Sequence, residues 1–286
     1  MRAVALGRQQ SLLVTDKSTN KGVRQSEVKE VKEHARLRAP VIYEIVRREG
    51  EGELERPASS LWWSGLAAGF GLSASVFTQG LLHEKLPDGA LRAPIESFGY
   101  CFGFLIVVLS RLQLFTENTL TAVLPLFSEW SRQSILNTAR LWGIVLAANL
   151  TGTFLAAALA VYGHVPTPEQ LAATYEVARN AVDASALGNL LHSIPAGFFI
   201  AAMVWMLPSA DTSRFWVIVA ITYVIALGEF PHVIAGSTDA FLLLVSGQMG
   251  FVHCFAGYLL PTLAGNVIGG TGLFALLAYA QIRKEI

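Results

Sequence analysis

The sequence predicts an all-α integral membrane protein with six transmembrane helices, of which the second and the fifth are broken helices. Three observations lead to this fold class. The chain of 286 residues is 53% hydrophobic and only 15% charged. Residues 1–56 carry twelve of the 21 Lys and Arg and nine of the 21 Asp and Glu. Most of the remaining sequence consists of long apolar runs separated by short polar inserts, which is typical of membrane proteins.

Residues 1–56 are predicted to form a cytoplasmic N-terminal arm, and residues 57–286 a membrane channel domain. Residues 1–35 are polar and lack apolar periodicity, which predicts disorder or weak helicity. From Val41, apolar positions 41, 42, 45 and 46 precede a charged stretch. This pattern predicts an amphipathic helix that lies on the membrane surface or packs on a neighbouring subunit.

The first, third and fourth spans follow from length and polarity. A membrane-spanning helix needs roughly 20 mostly apolar residues, and residues 61–82, 141–163 and 187–207 meet this requirement. The uncharged run 240–282 is too long for one span. The sequence SGQMG at 246–250 therefore predicts a turn before the sixth span.

Two spans are interrupted by polar inserts. Apolar residues 97–110 end at Arg111, and the apolar pattern resumes only after LFTENT at 114–119. Apolar residues 215–228 likewise end at EFPHVIAGSTD, residues 229–239. Irregular backbone at membrane depth is tolerated only inside protein or beside a water-filled cavity. Both breaks are therefore predicted to lie beside a solute pathway.

Each break contains residues that are suited to cap the half-helix that follows it. The candidates are Thr116, Asn118 and Thr119 in the first break and Ser237, Thr238 and Asp239 in the second. A half-helix that begins at such a cap presents free N–H groups and the positive end of its dipole.

Internal similarity relates the two halves of the chain. AAGFGLSASVF at 67–77 resembles PAGFFIAAMVW at 195–205, and NLTGTFLAAALAVY at 149–162 resembles NVIGGTGLFALLAYA at 266–280. Repeats of three spans insert with opposite topology, and inverted repeats with broken helices are typical of channels and transporters. The alternative is that small residues recur only because they allow close helix packing.

The distribution of Lys and Arg predicts the orientation. With the N-terminus in the cytoplasm, seventeen of the 21 basic residues are cytoplasmic, three are outside and Arg111 is within the membrane. The positive-inside rule therefore predicts a multi-pass protein of the cell inner (plasma) membrane with both termini cytoplasmic. A cleaved signal peptide is not expected, because no apolar segment opens the chain.

His232 is the leading candidate for a functional residue. It follows Pro231 inside the second break, and an ionisable group at membrane depth predicts a functional site. An imidazole can donate a hydrogen bond or a proton to a permeating anion. Of the other histidines, His192 and His253 are candidates for a vestibule, although interfacial hydrogen bonding is the favoured interpretation. His83 and His164 are interpreted as residues at loop ends.

Several classes of protein are not favoured. Zero net charge gives no sign of a nucleic-acid partner. Cys101 and Cys254 lie in apolar segments and are interpreted as small buried residues, without a disulfide. The chain has no H-E-x-x-H motif and no Asp or His pair at helical spacing, so neither an enzyme, a metal site nor a cofactor is predicted.

Three motifs resemble the formate/nitrite transporter family of pentameric anion channels, and the match extends over nearly all of the chain after residue 57. They are LFT at 114–116, FPH followed by VIAGS at 230–237, and GNVIGG at 265–270. The resemblance implies a homopentamer in the lipid bilayer with one aquaporin-like pore per protomer. It also implies transport of small monovalent weak-acid anions such as formate, nitrite, hydrosulfide or lactate, with help from a proton.

The resemblance also implies roles for particular residues. Thr116 would face His232 at the pore centre, together with Glu117 and the pore asparagine Asn266. Two apolar constrictions would involve five further residues, which are Tyr100, Phe104, Phe115, Ile200 and Ile225.

The chain departs from the family pattern near these motifs, which indicates a divergent branch. Arg111, Leu112 and Gln113 replace a glycine, a small residue and an acidic residue before LFT. Glu117 replaces a small residue after it. The fourth-span pair reads Ala196-Gly197 where alanine-asparagine is usual, and Ala181 stands near the position of the family's vestibule lysine.

Glu117 leaves the charge of the solute open. Paired with Arg111, or protonated by burial, it would leave an anion pathway intact. Ionised beside the pore, it would repel anions and favour cations or neutral solutes. A third hypothesis is a membrane scaffold with closed pores. The sequence does not decide between these alternatives.

Overall fold

The described part of the chain, residues 37–128 and 130–285 of a computed structural model, consists of helices joined by short connections. No strand is present among these residues. The predicted disorder of residues 1–35 lies outside them. The helices are α1 Ala39–Glu55, α2 Ala58–Leu72, α3 Ala74–Lys85, α4 Arg92–Leu109, α5 Phe115–Thr121, α6 Leu124–Ser128, α7 Arg132–Tyr162, α8 Pro168–Val182, α9 Ala186–Met206, α10 Arg214–Leu227, α11 Val233–Val245 and α12 His253–Ile282.

Five helical segments are long and apolar enough to cross a membrane, judged by length and composition: Ala58–Lys85, Arg92–Leu109, Arg132–Tyr162, Ala186–Ser209 and His253–Ile282. Helices α10 and α11 are apolar but shorter, with 14 and 13 residues. The chain does turn at 246–250, where Gly247 has a φ of 74°. A count of six crossings requires α4 with α5, and α10 with α11, to act as the two broken spans, and it stays a prediction.

The connection between α7 and α9 contains a helix that the sequence analysis did not predict. Helix α8 begins with a reciprocal capping box, in which Thr167 Oγ1 accepts from the N–H of Gln170 at 3.3 Å and Gln170 Oε1 accepts from the N–H of Thr167 at 3.0 Å. Pro168 lies in the first turn, where a backbone N–H has no partner within the helix. The missing N–H of proline therefore removes no hydrogen bond there. The sequence T-P-E-Q therefore held a signal for this helix.

Helix α1 forms where the amphipathic pattern predicted a helix, but its apolar face packs against the protein's own chain. Tyr43 and Val46 are buried. Tyr43 Oη donates to the carbonyl oxygen of Leu124 at 3.3 Å and lies 3.1 Å from Ser128 Oγ. The buried face of α1 is thus an intrachain contact, and the predicted position on the membrane surface or on a neighbouring subunit stays a prediction. The compact unit begins at Arg38, before the boundary predicted at residue 57.

The opposite face of α1 carries ion pairs one turn apart. Glu44 accepts from Arg47 Nε at 2.8 Å and from Arg48 Nε at 2.5 Å. These two guanidinium groups lower the pKa of Glu44 to about 2, because they stabilise its carboxylate. The pairs are solvent-exposed, so they support the helix without adding much stability.

Two glycines of α1 provide a matched test of its docking. A Cβ at Gly50 would collide with the carbonyl of Thr121 in α5, whereas a Cβ at Gly52 would meet no atom within 4 Å. We expect Gly52→Ala to stabilise α1 by about 0.5–1 kcal/mol, because alanine has the higher helix propensity. Gly50→Ala should instead separate α1 from α5. Hydrogen exchange of residues 39–55 should accelerate only in Gly50→Ala, and equal exchange in both variants would contradict this docking.

Candidate functional site

The two breaks have the same backbone conformation. The chain leaves α4 through Arg111 and leaves α10 through Glu229, which have φ values of 53° and 51°. Left-handed conformations are uncommon for residues other than glycine. The backbone is then extended at Leu114 and at His232, which are the N-cap residues of α5 and α11. This shared geometry supports the internal repeat independently of sequence similarity.

A buried asparagine holds the first break. Asn149 of α7 is fully buried, and its Oδ1 accepts from the N–H of Phe115 at 2.9 Å. Its Nδ2 donates to the carbonyl oxygens of Gln113 at 2.8 Å and Gly65 at 2.7 Å. The carboxamide therefore caps the first free N–H of α5 and satisfies the carbonyl of Gln113 in the extended segment. Its bond to Gly65 connects both to α2.

A second asparagine holds the second break in the same way. Asn266 of α12 is also fully buried, and its Oδ1 accepts from the N–H of Val233 at 2.8 Å. Its Nδ2 donates to the carbonyl oxygens of Ser193 at 2.8 Å and Pro231 at 3.0 Å. The resemblance placed Asn266 at the pore centre, but its carboxamide is turned toward this backbone. We call Asn149 and Asn266 the asparagine clasps.

Glycine allows the helices behind the clasps to approach closely. A Cβ at Gly69 would collide with the carbonyl of Asn149, and a Cβ at Gly197 would collide with the carbonyl of Asn266. Gly197 belongs to the Ala196-Gly197 pair that departs from the family pattern. This departure therefore lies at a close contact between α9 and α12.

The predicted caps within the breaks are wrong. Helix α5 already begins at Phe115, so Thr116, Asn118 and Thr119 lie inside it, and Asn149 supplies the capping oxygen. Helix α11 is capped by His232, whose Nδ1 accepts from the N–H of Ala235 at 3.2 Å.

The remaining cap candidates of α11 bind neighbouring helices or lie beyond its first turn. Ser237 Oγ lies 2.8 Å from Thr153 Oγ1, and Thr238 Oγ1 lies 3.0 Å from Ser73 Oγ. Both hydroxyls therefore join α11 to the helices behind it. Asp239 is further along α11 than a capping position.

The two breaks meet at a hydrogen bond between Thr116 and His232. His232 Nε2 lies 2.7 Å from Thr116 Oγ1, and both residues are buried. Because Nδ1 of the ring accepts the N–H of Ala235, the neutral ring carries its hydrogen on Nε2 and donates it to Thr116 Oγ1. The hydroxyl hydrogen of Thr116 is not used in this hydrogen bond.

The five residues proposed as constrictions are buried and belong to one apolar cluster around this hydrogen bond. The ring centroids of Phe104 and His232 are 5.1 Å apart in an edge-on arrangement, and those of Tyr100 and Phe104 are 5.2 Å apart. Phe115 packs edge-on against Trp142 at 5.5 Å. The five residues are Tyr100, Phe104, Phe115, Ile200 and Ile225. Tyr100 and Ile225 line one of two cavities that share no lining residue, and Ile218 of the same cluster lines the other.

The proximal cavity, on the side of α1, has a volume of about 370 Å³. It is lined by Glu117, Gln113 and Asn118 of the first break and by Glu49 and Glu53 of α1, and Arg111 and Arg214 also face it.

The hypothesis of an Arg111–Glu117 ion pair is wrong. Arg111 Nη2 instead bonds Glu49 Oε1 at 3.2 Å, and 70% of the Arg111 side chain is exposed. Glu117 Oε1 is buried and lacks a hydrogen-bond partner among the described residues.

The distal cavity, on the other side of the cluster, has a volume of about 290 Å³. His232 and Tyr100 lie in its lining, as do Ala181 and His192, and the vestibule role of His192 stays a prediction. His253 is exposed at the start of α12 and lines neither cavity.

His83 also lines the distal cavity and is more than a residue at a loop end. Its Nδ1 lies 3.0 Å from Glu96 Oε1 and its Nε2 lies 2.9 Å from Glu176 Oε2. The ring therefore bridges α4 and α8 at the mouth of the cavity. The hydrogen bond between His83 and Glu176 lowers the pKa of Glu176, because it stabilises the carboxylate.

The sequence analysis did not predict that Asp239 and Tyr258 line the distal cavity. Asp239 is only 5% exposed and lines the cavity, as does Tyr258, whose hydroxyl lies against Gly236. A carboxylate within an apolar span was a sufficient signal for Asp239. Nothing in the local sequence indicated Tyr258, because its position depends on how α12 packs on α11.

Comparison with known proteins places these features in a wider group. A sequence model described as "Formate/nitrite transporter" matches residues 40–280. The chain is 39% identical over 249 residues to the Escherichia coli (strain K12) "Inner membrane protein YfdC". The matched region covers 87% of this chain and 80% of that protein.

Two solved structures share the fold. One is described as "FNT family ion channel", with a TM-score of 0.72 and 18% identity over 85% of this chain and 98% of that chain. The other is described as "Pentameric formate channel with formate bound", with a TM-score of 0.68 and 16% identity over 79% of this chain and 98% of that chain.

The asparagine clasps can be tested by truncation. We expect Asn149→Ala and Asn266→Ala each to lower the free energy of unfolding by several kcal/mol, because each leaves three buried backbone groups without partners at roughly 1–3 kcal/mol apiece. The control is Asn137→Ala, since Asn137 bonds only an exposed Gln133 side chain among the described contacts. Thermal unfolding in detergent gives the comparison. Clasp variants as stable as the control would contradict the assignment.

Proposed function

Because the chain belongs to the formate/nitrite transporter family, we propose that it is a channel or transporter for small monovalent weak-acid anions of the formate and nitrite type. One pore runs through each protomer. The observation that carries this proposal is the hydrogen bond between His232 and Thr116, which joins the two helix breaks between the two polar cavities.

The buried hydrogen bond supplies a polar site inside an otherwise apolar constriction. An anion in the distal cavity meets His232 in the cavity lining, and it must enter between buried side chains to reach the hydroxyl hydrogen of Thr116 or the Nε2–H of His232. Both helices that follow the breaks begin here and direct the positive ends of their dipoles toward the site. The arrangement therefore suits a small solute with one or two acceptor oxygens.

The apolar cluster determines whether the solute crosses as an anion or as a neutral acid. Moving an unpaired ion into apolar surroundings is far more costly than moving a neutral molecule. A weak-acid anion that accepts a proton becomes a neutral acid, which Phe104, Phe115 and Ile200 can accommodate. Proton-assisted passage is thus part of the proposal.

The proposed assembly is a homopentamer in the inner membrane, with both termini in the cytoplasm. Many large apolar side chains are exposed on the outer helix faces, among them Phe98, Phe102 and Ile106 of α4. Such faces need lipid or neighbouring subunits to cover them. The proximal cavity would then open to the cytoplasm and the distal cavity to the opposite side, in agreement with the distribution of Lys and Arg.

Flux through proteoliposomes tests the role of His232. We expect His232→Asn to reduce formate and nitrite flux roughly tenfold or more, because it removes the imidazole donor at the constriction. Asparagine is itself a strong N-cap, so α11 should remain capped. The matched control is His253→Asn at the exposed start of α12. Unchanged flux in His232→Asn would remove the histidine from the mechanism.

A pore of altered selectivity is the second candidate, and the acidic lining of both cavities favours it. Glu49, Glu53 and Glu117 face the proximal cavity, whereas Glu96 and Asp239 face the distal one. An ionised Glu117 would favour cations or neutral solutes. The unpartnered, buried Oε1 of Glu117 argues instead for the neutral acid and an open anion pathway.

Tracer fluxes of formate and of a monovalent cation into proteoliposomes, measured for wild type and Glu117→Gly, separate these candidates. We expect both proteins to take up formate and not the cation, because a neutral Glu117 sets no charge barrier. Cation uptake by wild type that falls in Glu117→Gly, while formate uptake rises, would establish the second candidate instead. If neither anions nor cations move, and deletion of residues 1–35 does not change this, the chain acts as a closed-pore scaffold.

A further inference from the structure

Proton-assisted passage needs a proton donor, and His232 is poorly placed to be that donor. Its Nδ1 accepts the backbone N–H of Ala235, and its Nε2 is directed at Thr116. To gain a proton, the ring would have to give up the cap of α11. The ring is therefore a hydrogen-bond donor to the solute, and the exchangeable proton must be held elsewhere.

Asp239 is an acid that faces the same cavity as His232. The residue is 5% exposed, and its Oδ1 is buried and lacks a hydrogen-bond partner among the described residues. It follows His232 by two helical turns, which places both on one face of α11 about 10 Å apart along the axis. The hydroxyl of Tyr258 lies against Gly236, between the two positions.

The surroundings of Asp239 disfavour the carboxylate. The groups that face the distal cavity from the neighbouring elements are Tyr100 and Glu96 of α4, Tyr258 of α12, His83 of α3, His192 of α9, and Glu229 after α10. No Lys or Arg is among the described residues that line it. An ionised Asp239 would therefore be a buried charge without a cation, which is costly in a membrane protein.

We propose that Asp239 is the carboxyl group that protonates a weak-acid anion in the distal cavity before the anion enters the constriction. This proposal rests on the proposed function. The O–H bond of Asp239 breaks and an O–H bond forms on the anion, which leaves a neutral acid and an Asp239 carboxylate. Water in the cavity then returns a proton to Asp239. In the reverse direction, the carboxylate takes the proton back from the emerging acid.

The test compares full-length wild type with Asp239→Asn and with Asp183→Asn, a surface control at the end of α8 that lines neither cavity. Proteoliposomes that contain a pH-sensitive dye receive an inward formate gradient, and formate uptake and internal acidification are recorded together. We expect Asp239→Asn to lower both rates about tenfold or more, because a positioned acid contributes at least this much to proton transfer. Asp183→Asn should retain both rates. Asp239→Glu, which keeps a carboxyl group, should have higher rates than Asp239→Asn.

Each outcome separates this proposal from the proposed function. If wild type takes up formate with acidification and Asp239→Asn has the same two rates, the role of Asp239 is overturned and the proposed function is not. An Asp239→Asn variant with increased formate flux shows that the group is ionised and repels anions, and this also overturns it. Wild type that moves neither formate nor nitrite overturns the proposed function and this inference together.

A second measurement uses the unmodified chain and does not depend on the folding of a variant. A hydrophobic carbodiimide reacts with protonated carboxyl groups within membranes. We expect it to modify Asp239, as located by mass spectrometry of peptides, and to stop acidification in proportion to that modification. The proposal is overturned if uptake and acidification continue when Asp239 is fully modified. It is also overturned if acidification stops while Asp239 is unmodified.

Discussion

The structure depends on satisfying the backbone at the two points where one helix ends and the next begins in the protein interior. Each break exposes N–H and carbonyl groups that cannot be bonded to lipid. A single asparagine carboxamide meets this need at each point, through Asn149 at the first break and Asn266 at the second. Glycines at 69 and 197 let the partner helices come close enough for the clasp to reach.

Fixing the breaks also positions the site. Because the clasps hold Phe115 and Val233 at the starts of α5 and α11, Thr116 and His232 are directed at each other across the protein. Apolar side chains surround this pair, and His232 also lines the distal cavity. In the proposed function, selectivity is divided between the buried hydrogen bond and the acidic residues of the two cavities.

Two acidic groups face the two cavities. Glu117 is partly exposed and lines the proximal cavity, Asp239 is buried and lines the distal cavity, and each has a buried carboxyl oxygen without a partner among the described residues. A pair of ionised groups here would oppose anion passage, whereas two neutral acids would leave it open and one could supply the proton. The same two residues thus connect the question of charge selectivity with that of proton coupling.

The sequence alone predicted the family and the helical membrane fold, because these follow from hydrophobic length, helix breakers and local motifs. The resemblance to the family implied the facing pair Thr116 and His232, which the structure brings together. The tertiary structure decided what partners each polar residue has. It replaced the predicted caps by Asn149 and His232, separated Arg111 from Glu117, and docked α1 on its own chain. These outcomes depend on contacts between residues distant in sequence, which hydrophobic periodicity and local capping rules do not encode.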